Sequence, residues 1–154
     1  LSGPTRRDVD VPDPILIHDD LELYLTARFR SLLASRPEPV CSEVEVDRVE
    51  PDRPYEDWPA KLLVVRDDGT TDDELHVGQA SIGLTVLAGT KRSPKVAKDL
   101  ALIVRALIPL LPSPDPSNPI AAVLSVNGPY MVDEAPARAR VYMTATLAVV
   151  ARAV

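Results

Sequence analysis

Apolar residues recur along this chain with two distinct periods. From Asp20 to Ser35 the positions Leu21, Leu25, Phe29, Leu32 and Leu33 return every three or four residues, which places them on one face of a helix. Asp19 followed by Glu22 resembles a capping box with Asp in place of Ser/Thr, and Pro37 and Pro39 stop the helix. A second helix is predicted after Ser93-Pro94, with Ser93 as N-cap and Pro94 in the first turn. Its stripe is Val96, Leu100, Ile103, Val104, Leu107, Ile108 and Leu111, and it runs out in the proline-rich LPSPDPSNP connector.

Elsewhere the period is two, the signature of strands. Val44, Val46 and Val49 alternate with acidic residues between Val40 and Val49. The run KLLVVR (Lys61–Arg66) is short, apolar and suited to a central strand. Asp68-Gly69 signals a hairpin, with a polar tip from Asp67 to Glu74. Leu75 to Leu87 reads as a long strand with Ala80, Ile82, Leu84 and Val86 on one side; Gly89 breaks it. Ile120 to Val132 is extended, with an interruption at Asn127-Gly128-Pro129. After a turn near Asp133 to Pro136, a last strand from about Ala137 to Ala151 sets Val141, Met143, Ala145, Leu147 and Val149 against Tyr142, Thr144, Thr146 and Ala148.

The predicted order is α-β-β-β-α-β-β. This gives an α+β fold in which a largely antiparallel sheet of four to five strands carries two main helices on one face. The other face, rich in Thr, Ser, Gln and Gly, is left for solvent or a partner. Residues 1–14 read as a flexible N-terminal arm and 15–154 as a single domain, a size that suits one core.

Composition sharpens the picture in three ways. Proline stands at 16 of 154 residues, roughly twice the average usage of about 5%, and it clusters in the arm and the connectors. The 17 Lys and Arg against 23 Asp and Glu leave a net charge of -6, the wrong sign for a nucleic-acid-binding surface. Cys41 is the single cysteine, so no intrachain disulfide forms, which fits assembly in a reducing cytoplasm. A membrane span and a signal peptide are not expected.

Catalytic signatures are missing. His18 and His76 stand apart with no metal-ligand spacing around either. Phosphate-binding glycine loops, HExxH, GxSxG and CxxC motifs do not occur, and Ser81 in QASIG lies in a strand pattern. The acidic pairs Asp19-Asp20 and Asp67-Asp68, with the run Asp72-Asp73-Glu74, read as a helix cap and a solvated hairpin tip. No cofactor or metal is expected, and the chain does not read as an enzyme.

The features that suggest contacts are charged and aromatic. Lys91, Arg92 and Lys95 gather at the amino end of the second helix, where positive charge opposes the helix dipole. These are either ordinary solvated charges in a loop or the seat of an acidic partner, for which the candidate is the acidic tip of a neighbouring copy: Asp67, Asp68, Asp72, Asp73 and Glu74. Tyr55 and Trp58, in a loop with three prolines, are either interface anchors or lids folded back on the core.

Three stretches also look familiar. HDDLELYLTARFRSLLASRPEP (His18 to Pro39), ASIGLTVLAGTKRSPKVAKDLALIVRALIP (Ala80 to Pro109), and AAVLSVNGPYMVDE followed by ARVYMTATLAVV (Ala121 to Val150) resemble the tail terminator proteins of siphophages that infect actinobacteria. VLAGTK before a helix and SVNGPY before the last strand are the most distinctive pieces. The resemblance spans roughly Ile15 to Val150. It implies a structural virion subunit that forms a ring, typically of six, at the head-proximal end of the tail tube. Such a ring stops tube polymerisation and meets a head-side connector or stopper protein. Its partners would be other copies of itself, the tail tube protein and the connector, with DNA passing through the lumen unbound. The competing readings are another neck component (a head–tail connector or tail completion protein), a small enzyme, and a host-directed binding module. Oligomeric state with and without tubes separates them.

Overall fold

The computed structural model describes residues 12–74, 76–133 and 138–154. Its elements run β1 (Leu16–Ile17), α1 (Leu21–Ala34), β2 (Glu45–Asp47), β3 (Lys61–Asp72), β4 (Val77–Ala88), α2 (Lys95–Leu107), β5 (Ile120–Val132), β6 (Ala139–Val150) and β7 (Arg152–Ala153). Strands β2 to β6 form one sheet in the order β2-β3-β4-β6-β5, antiparallel except that β2 runs parallel to β3. The fold is α+β, as the periodicity predicts.

Both helices lie on one sheet face. Leu21, Leu25, Phe29 and Leu33 of α1 and Leu100, Val104 and Leu107 of α2 share one buried cluster with Ile82, Leu84 and Val86 of β4 and Val141, Met143 and Leu147 of β6. Helix α2 carries the chain from β4 past one strand position to the far edge strand β5, and β6 then returns antiparallel into the gap between them. Helix α1 packs towards β2 and β3, and α2 covers β4, β6 and β5.

Several boundaries differ from the sequence expectation. The α1 cap is Asp20, whose carboxylate accepts the Leu23 amide at 3.1 Å; Asp19 instead pairs with Arg152 at 2.7 Å. Helix α2 is capped by the Pro94 backbone with no side-chain hydrogen bond; Ser93 lies one residue earlier, in a reversal where its amide donates to the Thr90 carbonyl and hydroxyl. That reversal needs Gly89 at φ 62, where a Cβ would sit 2.7 Å from the Ser93 carbonyl oxygen.

The segment Val40 to Val49 is only briefly a strand. Pro39–Cys41 is a turn of 3-10 helix and Glu43 has a φ of 56, so pairing starts at Glu45. The predicted hairpin tip at Asp67 to Glu74 is also shorter. Strand β3 runs on through Asp72, absorbing the Asp67–Gly69 irregularity as a bulge in which Asp67 accepts the Gly69 amide. Leu75, assigned from sequence to the start of β4, and most of the arm and of the 133–136 turn lie outside the described residues.

Two features escape the periodic reading. Strands β1 and β7 pair as a separate two-stranded sheet, Leu16 opposite Ala153 and Ile17 opposite Arg152. Strand β5, extended as expected, carries three register irregularities against β6. At one of them Gly128 adopts φ 95, with the Tyr142 carbonyl oxygen 2.9 Å from where a Cβ would stand.

Candidate functional site

The ten candidate residues fall in three separate places. Tyr55 and Trp58 are the first. Their rings stack with centroids 4.2 Å apart, and Trp58 closes over Leu62, Val64 and Leu87 on the sheet face away from the helices. Trp58 is 8% exposed. Its Nε1 donates to the Arg53 carbonyl at 2.8 Å, and Arg138 donates to the carbonyls of Trp58 and Pro59. Within the single chain, Trp58 thus folds back on the outer sheet face. The second sheet face is correspondingly less open than its Thr, Ser and Gly content suggests.

Beside this aromatic lid lies a cavity of about 300 Å³ lined by Arg66, Thr85, Val132, Arg140 and Tyr142. Arg66 holds Asp68 through Nε at 2.5 Å and the Tyr142 hydroxyl through Nη2 at 2.8 Å. Asp68 is the main reason the Arg66 guanidinium is held above its ordinary pKa. Arg140 donates to Glu50. Both arginines thus neutralise carboxylates of their own chain. Asp68 belongs to this network and not to a hairpin tip.

The acidic turn and the basic segment occupy opposite ends of the β3–β4 ladder. Lys61 pairs with Ala88 at one end and Asp72 with Gly78 at the other. Eleven residue steps at about 3.4 Å separate the ends by roughly 37 Å, so the two charge clusters cannot meet within one chain. Most of these charges already have local partners. Lys91 reaches Asp133 at 3.0 Å, Lys95 reaches Asp99 at 2.9 Å, Asp72 accepts from His18 at 2.7 Å, and Asp73 accepts from Gln79. Arg92 and Glu74 are exposed and carry no ion pair to a described residue. Surface pairs of this kind contribute about 0 to 1 kcal/mol each.

A third surface was not singled out from sequence. A groove of about 200 Å³ runs between α2 and β5, lined by Lys98, Leu102, Pro129, Tyr130, Met131 and Val141. Leu102, Tyr130 and Met131 are 57%, 48% and 41% exposed. The signal was present in the chain: Leu102 falls off the apolar stripe of its helix, and β5 has no charged residue in 13. Val96, assigned to that stripe, is also exposed.

Among the described residues no three His, Cys, Asp or Glu side chains gather as metal ligands, and no helix is long and apolar enough to cross a membrane. The lone Cys41 is buried, and that burial pushes its thiol above the ordinary value. No protein-family model matches this chain, and no curated protein matches it in sequence.

Proposed function

We propose that this chain is a non-enzymatic virion protein, the tail terminator of a long-tailed phage, acting as a ring of identical subunits. In this reading the ring, of about six copies, sits on the head-proximal end of the tail tube, blocks further tube growth and offers its other face to the head-side connector. DNA passes through the lumen without specific binding. What carries the reading is the way the three resembling segments coincide with three structural units. His18–Pro39 contains α1, Ala80–Pro109 contains most of β4, the tight Gly89 turn and α2, and Ala121–Val150 contains nearly all of the β5–β6 hairpin.

The physical character of the molecule is compatible with that role. A closed ring needs two unlike surfaces that meet head to tail. The two lateral edges of this sheet are unlike: β2 with α1 on one side, β5 with α2 on the other. A net charge of -6 disfavours adhesion to DNA phosphates.

The deciding experiment mixes the purified chain with polymerising tail tube protein and views the product by electron microscopy. The expected result is a ring at one tube end and tubes that stop lengthening. A chain that stays monomeric and leaves tube growth unaltered overturns the proposal.

A further inference from the structure

We infer that the α2–β5 flank, centred on Leu102, Tyr130 and Met131, docks the α1–β2 flank of a second copy of this chain. The inference rests on the ring reading and gives it a specific contact.

The argument begins with where apolar surface is left uncovered. Soluble proteins seldom leave neighbouring large apolar side chains in water without an interaction to use them. Here Leu102, Tyr130 and Met131 line one groove, and Leu124 of the same strand is 51% exposed. At the opposite lateral edge Leu23 of α1 is 65% exposed, and Val49, just beyond β2, is 61% exposed. Leu23 lines a second groove with Thr26, Ala27, Arg30, Asp47 and Arg48.

Edge chemistry points the same way. Exposed strands are ordinarily guarded by charge. The part of β3 that β2 leaves uncovered has Arg66, Asp67, Asp68 and Asp72, and β2 has Glu45 and Asp47. The outward carbonyl of Val46 in β2 is also taken, accepting from Arg30 at 2.9 Å. Strand β5 alone among the long strands at an edge carries no charge. The flanks can also pair charges at one point, although Arg30 and Arg48 share the α1–β2 groove with Asp47. Lys98 stands at the lip of the α2–β5 groove with no ion pair among the described residues, and Glu45 and Asp47 line the other edge.

Symmetry then fixes the kind of contact. The flanks lie at the two ends of the strand order β2-β3-β4-β6-β5, so joining one to the other is heterologous and repeats from copy to copy until it closes. It leaves both ends of the β3–β4 ladder, with their acidic and basic turns, clear of the subunit contact.

Site-specific cross-linking of the full-length chain tests this. In a Cys41→Ala background, one preparation carries Leu102→Cys and a second, separately tagged, carries Leu23→Cys. Both sites are exposed, so neither change disturbs the core. The mixture is oxidised across a concentration series, with and without tail tube polymer. The expected product is the mixed disulfide between the two preparations, and a ladder of multimers when both cysteines sit on one chain. A Leu102→Cys product that joins only to itself, a cross-link between Arg92→Cys and Glu74→Cys in place of the flank pair, or no cross-link in either condition overturns the flank contact. As a second readout, Leu102→Asp with Met131→Asp should weaken self-association by roughly tenfold or more while the melting temperature holds. A mixed disulfide in a chain that never caps tubes upholds the contact and overturns the terminator role. Tube capping without it does the reverse.

Discussion

Replacing Trp58 with alanine tests whether the aromatic lid stabilises this chain or serves a partner. A buried Trp removes on the order of 200 Å² from water. At about 25 cal/mol per Å² that is about 5 kcal/mol, an upper bound because unfolded chains already hide part of such a ring. The Trp58 ring meets Leu62, Val64, Leu87 and Tyr55 on the outer sheet face and is not enclosed from all sides, so the loss falls short of that bound. The hydrogen bond from Nε1 to the Arg53 carbonyl adds about 1 kcal/mol. The balance is about 3 kcal/mol, within the range seen for large-to-small changes at aromatic core sites. In a domain of this size that lowers the melting temperature by roughly 6 to 12 °C. Urea unfolding followed by circular dichroism measures the free energy, and sedimentation measures self-association in the same samples. A loss under about 1 kcal/mol accompanied by weakened association would refute the reasoning and make Trp58 an interface anchor after all.

Asp20→Ala should cost about 1 kcal/mol in urea unfolding through loss of the α1 cap, whereas Asp19→Ala, which breaks only an exposed pair with Arg152, should cost under about 0.5 kcal/mol. Gly128→Ala places a Cβ against the Tyr142 carbonyl at a positive φ and should destabilise by about 2 kcal/mol or more; an unchanged unfolding midpoint argues against that backbone geometry. Reversing charge with Lys91→Glu and Arg92→Glu should leave self-association at low salt unaltered, since the flanks and not the ladder ends make the proposed contact; dissociation there supports the charged turns instead. The buried Cys41 holds its proton more tightly when folded, so its contribution is intact below the pKa of the unfolded thiol and fades as pH rises through the higher folded value. Urea midpoints from neutral to alkaline pH should therefore fall more steeply in the native chain than in Cys41→Ala.

The parts of the fold legible in the sequence are those set by local spacing. Leu21, Leu25 and Phe29 announce α1, and Ala80 to Val86 announce β4, because one face of each must be buried. Pairing between distant segments leaves no such trace. The parallel seat of β2 beside β3, with only Glu45 to Asp47 engaged, depends on how the Pro39 turn and the Glu43 backbone steer the chain. The two-residue strands β1 and β7 are too short to show a period. The charged candidates were recognisable by type, but their partners were not: Lys91 and Asp133 are 42 residues apart in sequence. Leu102, off the stripe of its helix, and the uncharged β5 are each visible in the sequence, but they mark a surface only once the fold sets them side by side.

The irregular pairing of β5 also bears on how the protein behaves at high concentration. Thirteen residues, Ile120 to Val132, span only ten of β6, Val149 to Arg140. Each of the three extra residues interrupts the spacing of outward amides and carbonyls and increases the local twist. An uncharged edge of this length, if flat, would template cross-β stacking. Bent in three places, it denies an incoming strand a continuous register while still presenting Tyr130 and Met131 sideways. The same strand can therefore stay sticky towards a shaped surface and resist seeding fibrils, which a thioflavin assay on concentrated protein would show as an absence of signal.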